Sequence, residues 1–284
     1  MITAIYLAFL AILGLAAGFV GSITGLGGGV VLIPALTLLL GMPIEYAAGA
    51  SLISTIATSS GAASAYVKDR LANIRIGMSL EIATTLGAIV GSLAAALIYT
   101  HHLEQVIFIL FGLVLLSSTY PTFRELRKAK RSRMNRDWST DFFNLHGKYY
   151  DSATKRYVSY SGYRWLFGEG VMLVAGVISG LLGIGSGALK VIGMDWGMKL
   201  PIKVTTSTSN FMIGVTAAAG SAIYWVMGYI QPLLLAPILV GILAGSYLGS
   251  KMLPEMKGRH VRGFFLVVLV LLGIEMILRG VGIA

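Results

Sequence analysis

GFVGSITGLGGG at residues 18–29 and GVISGLLGIGSG at residues 176–187 are two copies of one apolar, glycine-broken stretch. A constant offset of 158 residues, the step from Gly18 to Gly176, relates them without a gap. It pairs Gly25 with Gly183, Gly27 with Gly185, Gly29 with Gly187 and, further on, Pro43 with Pro201. The register continues through Ser51 and Ser209, Thr58 and Thr216, Tyr66 and Tyr224, Gly87 and Gly245, and Gly91 and Gly249. Glycine-interrupted apolar helices at matching places in two halves point to the substrate site of a membrane transporter.

Composition agrees with that. Of the 284 residues, 12% are charged and 56% hydrophobic, with a mean hydropathy of +0.81. A soluble domain carries about 25% charged residues. The apolar runs approach the ~20 residues that a helix needs to cross ~30 Å of hydrocarbon. The fold class expected is all-α polytopic membrane protein; continuous rather than alternating apolarity excludes a β-barrel. Residues 2–15 lack a basic n-region, so no cleaved signal peptide is expected. The chain has no cysteine, which excludes disulfides, thiolate metal sites and thiol nucleophiles.

The net charge of +10 is concentrated rather than spread. Residues 121–164 hold eleven Lys or Arg against four Asp or Glu, a net +7. Basic residues beside membrane spans mark the cytoplasmic face, so a nucleic-acid partner is not expected.

Spans are expected near residues 2–23, 46–67, 74–99, 103–120, 165–182, 204–227, 231–252 and 261–278. That makes about eight full spans, or eight to ten with the short segments 30–40 and 188–198, which read as half-helices or re-entrant arms. Three connections are basic: the one with Lys68, Arg70 and Arg75, the central segment, and the one with Lys251, Lys257, Arg259 and Arg262. The turns at 41–45, 101–104 and 228–231 carry no Lys or Arg. Placing the basic side in the cytoplasm sets both termini outside and the two repeats in inverted topology. The organisation expected is therefore a first repeat at 1–120, a basic cytoplasmic linker at 121–164 and a second repeat at 165–284. Within the linker, β-formers flank Asp151, Ser152, Ala153 and Thr154, a hairpin pattern.

The breaks themselves are Gly25, Gly27, Gly28 and Gly29 in the first copy and Gly183, Gly185, Ser186 and Gly187 in the second. A helix restarting after such a break presents unpaired N–H groups and a positive dipole end, an anion site. Neither copy fits the phosphate-loop or dinucleotide fingerprints. Close packing explains the spaced glycines Gly14, Gly18, Gly87, Gly91, Gly241, Gly245 and Gly249 sufficiently. The following helices are rich in hydroxyls: Ser51, Ser54, Thr55 and Thr58 in the first, Thr205, Thr206, Ser209 and Thr216 with the amide of Asn210 in the second. Such groups bond an oxyanion without a fixed charge; their bland alternative is bonding to helix carbonyls.

Intramembrane charge is sparse. Lys190 stands where the first repeat has Leu32 and either complements an anion, pairs with Asp195 or reaches to the interface. Lys199 and Lys203 are expected at the cytoplasmic mouth. Glu81 is the candidate for a proton-coupled carboxylate, with capping or a pair to Arg75 as its alternatives. Glu275 and Arg279 read as an i,i+4 pair, and His101 with His102 as an exposed turn rather than a metal site. No metal or cofactor is expected.

At these residues the chain resembles the TauE/SafE family of sulfite and organosulfur anion exporters, also called TSUP. The resemblance rests on GFVGSITGLGGGVVLIPAL at 18–36, SGLLGIGSGALKV at 179–191 and KVTTSTSNFMIGVTAAAG at 203–220, and it covers nearly the whole chain. It implies a permease in the cell membrane with two symmetric halves and a central site for sulfite, thiosulfate, sulfoacetate or a related anion, driven by protons. It also implies that the glycines and Ser186 of both breaks, with the hydroxyls around Ser51 and Ser209, line that site. Ser186 in place of a glycine, and Lys190 and Ile192 in place of Leu32 and Pro34, set the second copy apart from the first. An anion channel fits the same features, an intramembrane enzyme fits poorly, and monomer and homodimer stay equally open.

Overall fold

A computed structural model describes residues 2–101, 104–120, 122–123 and 137–282. The basic run at 124–136 and His102 lie outside the described residues. Helices α1 (Ile2–Thr24), α2 (Gly29–Leu39), α3 (Ile44–Lys68), α4 (Ile74–Thr100) and α5 (Glu104–Ser117) come first. A short α6 (Trp138–Phe142) and the antiparallel strands β1 (His146–Asp151) and β2 (Arg156–Ser161) follow. The chain then forms α7 (Trp165–Leu182) and α8 (Gly187–Ile192), which runs on into a π-helical turn at Gly193–Gly197. It closes with α9 (Ile202–Val226), α10 (Pro232–Met252) and α11 (Gly258–Gly280).

The expected hairpin forms, with Asp151 opposite Arg156 across the turn. Proline and glycine set several boundaries. Pro43 and Pro201 precede α3 and α9, and Pro232 occupies the first turn of α10, where its missing N–H costs nothing.

Among the described residues, five helices are long and apolar enough to cross a membrane: α1 over Tyr6–Thr24, α4, α7, α10 and α11. This is an all-α polytopic membrane protein with one β-hairpin added. The difference from eight expected spans has a physical reason. Helices α3 and α9 have 25 residues each, about 37 Å at ~1.5 Å per residue. Their interiors are hydroxyl-rich because they face protein: Ser51, Ser54, Thr55, Thr58, Thr205, Thr206, Ser209 and Asn210 are all fully buried. The described part of α5 is short.

The packing repeats with the sequence. Helix α1 lies along α10 while α4 lies along α7, and α3 packs on α9. The offset of 158 carries α1 onto the α7 region and α4 onto the α10 region, so the first two pairings are copies of each other. Both are zipped by small residues. Gly14 and Gly18 lie against the carbonyls of Ile238 and Ile242, and Gly87 and Gly91 against those of Leu173 and Val177. The fully buried Tyr66 donates its hydroxyl to Ser22 O at 2.9 Å; its equivalent Tyr224 donates to Gly180 O at 3.2 Å.

Two ends of the bundle differ. At one end the hairpin meets the α3–α4, α8–α9 and α10–α11 connections. Asn73 donates to the Tyr160 hydroxyl at 3.0 Å, Tyr163 N to Met198 O at 3.4 Å, and Lys203 Nζ to both Asp151 Oδ1 and Pro254 O at 2.7 Å. At the other end Tyr46, Tyr99, Tyr224 and Tyr229 form an edge-to-face cluster joining the α3 start, the α4 end and the α9–α10 turn. A cleft of about 290 Å³ opens at this end beside Gly41, Met42, Pro43, Glu45, Phe108 and Arg279.

Candidate functional site

Both breaks are built alike. Gly25 N bonds back to Gly21 O at 2.9 Å, and Gly183 N to Ser179 O at 2.8 Å, so each first helix ends on a left-handed glycine. Gly25 and Gly27 have φ of +77° and +80°, and Gly183 and Gly185 both have +72°. These positions need glycine, since a Cβ makes the left-handed region costly. The copies part at the next residue: Gly28 is right-handed at −60°, whereas Ser186 is left-handed at +61°.

The two breaks touch. A Cβ on Gly187 would stand 2.5 Å from Leu26 Cα, inside the first break. Thr55, near the middle of α3, lies between them. A Cβ on Gly29 would stand 2.6 Å from Thr55 Oγ1, and one on Gly185 2.5 Å from Thr55 Cγ2. Gly27 is flanked by Thr55 on one side and Ile213 on the other, residues that the offset of 158 makes equivalent. The hydroxyl at the centre therefore comes from one half only.

On α3, on α9 and at the end of α7 several polar atoms are buried without bonds, and of these residues Ser51 and Thr55 lie against Gly29 and Thr206 against Gly25. Ser51 Oγ, Ser54 Oγ, Thr55 Oγ1, Thr205 Oγ1, Thr206 Oγ1 and Asn210 Oδ1 have no hydrogen-bond partner, and neither has Ser179 Oγ. Each such group costs about 1–3 kcal/mol of lost hydration. Folded proteins satisfy nearly all of their buried polar groups, so a cluster of exceptions marks a place where something else supplies the bonds. The first amides of a helix have no acceptor one turn back and add donors here, although Val31 N already bonds Gly28 O at 3.2 Å.

The predicted residues thus assemble, though not with equal roles. The matched pair Ser51 and Ser209 divides: Ser51 is unpaired, while Ser209 donates to Gly25 O at 2.8 Å. Asn210 Nδ2 donates to Ser22 O at 2.7 Å, so α9 holds the end of α1 in place. Thr58 accepts from Gly28 N at 3.1 Å. Ser186 donates to Gly185 O at 2.6 Å.

The charged residues correct several expectations. Lys190 does not pair with Asp195, nor Glu81 with Arg75. Lys190 Nζ meets Glu81 Oε2 at 3.1 Å, fully buried, with Thr216 bonded to both. Asp195 instead holds Arg262, which is buried in the first turn of α11 rather than exposed in a basic loop. Arg75 is exposed at the α4 start. Lys203 is buried under the hairpin, and Lys199 lies over the Trp196 ring. Glu275 Oε1 has no hydrogen bond, and Arg279, which lies over the Phe108 ring, acts on Glu275 through charge alone. His101 is exposed, as expected of a turn. Burial drives these pairings, because an uncompensated buried charge is far costlier than a matched one. The sequence marks these charges one by one, but their separations leave no local trace of which pairs with which.

Comparison with known proteins agrees with this architecture. A probable membrane transporter protein of Bacillus subtilis, YunE, is 29% identical over 279 residues, 96% of this chain and 97% of its own length. A second from the same organism, YdhB, is 25% identical over 240 residues, 84% of this chain and 86% of its own length. No solved structure matches. The family model for the sulfite exporter TauE/SafE matches residues 10–276. With its two glycine breaks and apolar helices inside that span, the chain belongs to the TauE/SafE family of membrane transporters.

Proposed function

We propose that this membrane transporter carries a small sulfur-containing anion, such as sulfite, thiosulfate or a sulfonate like sulfoacetate, by alternating access. The observation that carries the reading is that Ser51 and Thr55, with unpartnered and fully buried hydroxyls, lie against the breaks, and that Thr206, also unpartnered, lies against Gly25. An oxyanion supplies the acceptors that these donors lack, and hydroxyls deliver such bonds with no fixed charge to bury. The helix starts at Gly29 and Gly187 point positive dipole ends toward the same small volume. Gly25, Gly27, Gly28, Ser51, Ser54, Gly183, Gly185, Ser186, Thr206, Ser209 and Asn210 complete the site or its frame.

In this reading α3 and α9 also cross the bilayer, shielded by the apolar helices around them, and α2 and α8 are arms that return to their starting faces. Helix α1 runs parallel to α10, and α4 to α7, as their glycine contacts indicate. With the hairpin end in the cytoplasm of a cell membrane, the repeats have inverted topology and the breaks meet near the midplane. Basic connections gather at that end, in keeping with the charge asymmetry of membrane proteins.

The test is flux into liposomes holding purified protein, using labelled sulfite, thiosulfate, sulfoacetate and a carboxylate as probes. Saturable flux of a sulfur anion that Ser51→Ala or Gly27→Leu lowers is the expected result. No flux of any probe refutes the proposal, and single-channel current steps would replace alternating access with a pore.

A further inference from the structure

The buried pair Lys190–Glu81 has no counterpart in the other half of the chain. The offset of 158 puts Leu32 at the position of Lys190 and Leu239 at that of Glu81. Leu32 is as fully buried as Lys190. One half therefore builds its arm with apolar side chains where the other spends a desolvated ion pair. Such a pair is commonly no better for stability than apolar residues of similar size. Inside a membrane, ionisable groups that the fold does not require are functional by default.

Its bonding is compact. Lys190 Nζ donates to Glu81 Oε2 at 3.1 Å and to Thr216 Oγ1, and Thr216 donates to Glu81 Oε1. Thr85 donates to the same oxygen at 3.3 Å. Thr58, the equivalent of Thr216, instead accepts from the amide at the start of α2. Lys190 stands one turn beyond Gly187, and its neighbour Val191 lies against Gly25 in the opposite break. Lys190 therefore belongs to the helix that restarts from the second break, and the residue beside it packs on the first.

We propose that Glu81 is the internal counter-ion of Lys190, that a transported monoanion displaces it, and that Glu81 then takes up one proton. The inference rests on the anion-transport reading above. Paired with each other, the ammonium and the carboxylate cancel. An arriving monoanion places two negative groups around one cation, and protonation of Glu81 from the aqueous side removes the excess. The loaded site holds an ammonium, a monoanion and a neutral carboxylic acid, again with no net charge. Proton and anion move together, one for one, and the cycle carries no current.

Few other charges bear on this balance. The elements packed here carry Glu169 on α7, Lys203 on α9, Arg75 on α4, Asp195 in the π turn and Arg262 on α11. Lys203 and Arg262 are engaged by Asp151 and Asp195, and Arg75 is exposed. Glu169 Oε1 is buried without a bond, so it is the group against which Glu81 must be compared.

The experiment follows labelled sulfite, buffered below the second dissociation of sulfurous acid so that the hydrogensulfite monoanion predominates, and, with an enclosed pH dye, protons in the same liposomes. Wild type is expected to move one proton per monoanion with no response to an imposed voltage. In Glu81→Gln the proton-to-anion ratio falls to zero, and in Glu169→Gln it stays at the wild-type value. The double variant Lys190→Leu with Glu81→Leu, which copies the first half, should fold with an undiminished melting temperature and lose proton-driven flux. Anion flux without proton movement in wild type, or an unchanged ratio in Glu81→Gln or the double variant, overturns the inference while leaving anion transport standing. Absence of any anion flux in wild type removes the transport reading and this one with it.

Discussion

Lys203 Nζ is held between Asp151 Oδ1 and Pro254 O, both at 2.7 Å, and this one ammonium ties the hairpin turn to the start of α9 and to the α10–α11 connection. A lysine in the first turn of a helix opposes the helix dipole, and here it is also buried, so it needs the carboxylate beside it. Asp151→Asn leaves a buried ammonium facing a carbonyl and a neutral amide. Removing one member of a buried pair costs about 3–5 kcal/mol. The expected outcome is a lower melting temperature and faster proteolytic cleavage within the hairpin. Adding Lys203→Met to Asp151→Leu should recover most of the loss in a double-mutant cycle; equal loss in the cycle would show that the bond does not fasten the hairpin.

Gly29 is prohibited from carrying a side chain by what surrounds it. Its Cβ would stand 2.6 Å from Thr55 Oγ1 and 2.8 Å from Ser51 O, with Ser51 Oγ nearer still. Gly29→Ala forces the α2 start away from α3, and overpacking of this kind costs about 1–3 kcal/mol. Gly263→Ala on α11 meets nothing within 4 Å and removes a glycine from a helix interior. It should raise the melting temperature slightly, by helix propensity of up to ~1 kcal/mol. Anion flux is expected to fall in the first variant and persist in the second, so equal flux in both would contradict the placement of Gly29.

Outside the membrane helices, Asp137 caps α6 and joins it to α7. Slight burial works to raise its pKa, but the Ser139 hydroxyl, the Arg164 amide, and the Thr140 amide and hydroxyl all bond the carboxylate and hold it down at about 2. An unfolded aspartate titrates near ~3.9. A pKa depressed by folding gives stability that is present above the unfolded value and is lost as pH falls through the folded one. The α6–α7 junction should therefore loosen as pH drops from about 4 toward 2, detected as a change in emission of Trp165, which stacks on Phe143 at 4.2 Å. Asp137→Asn should remove that acid transition, and an identical transition in the variant would assign it elsewhere.

Much of this was legible because the informative patterns are local or repeat at a fixed step. Glycine clusters declare breaks, the Asp151–Thr154 run declares a turn, and one offset finds Tyr66 and Tyr224 in equivalent bonds to Ser22 and Gly180. What stayed hidden depends on which helices meet. Glu81 and Lys190 are 109 residues apart, and Lys203 and Asp151 are joined only because the hairpin folds back. Apolarity also misleads for α3 and α9, whose hydroxyl-rich faces are buried against other helices. The repeat implied that Ser51 and Ser209 act alike, yet the asymmetric contact with Gly25 assigns one to the frame and leaves the other unbonded.

Two threonines three residues apart on α3 separate frame from site most sharply. Thr58 Oγ1 accepts from Gly28 N at 3.1 Å and donates to Ser54 O at 2.9 Å, so Thr58→Val breaks bonds that the folded protein makes. It should lower the melting temperature, by about 1–3 kcal/mol for the orphaned amide. Thr55 Oγ1 makes no bond to the rest of the protein, so Thr55→Val keeps the shape and removes an unsatisfied buried atom. That change is expected to raise the melting temperature, because an unpaired hydroxyl costs more to bury than a methyl group. If the hydroxyl bonds a transported anion, its loss forfeits about 1.5–3 kcal/mol, or roughly 10- to 100-fold in flux at low substrate. Higher stability with lower flux in Thr55→Val, and the opposite order of effects in Thr58→Val, is the pattern expected from differential scanning fluorimetry and liposome flux together. Thr55→Val with wild-type flux would remove that hydroxyl from the site.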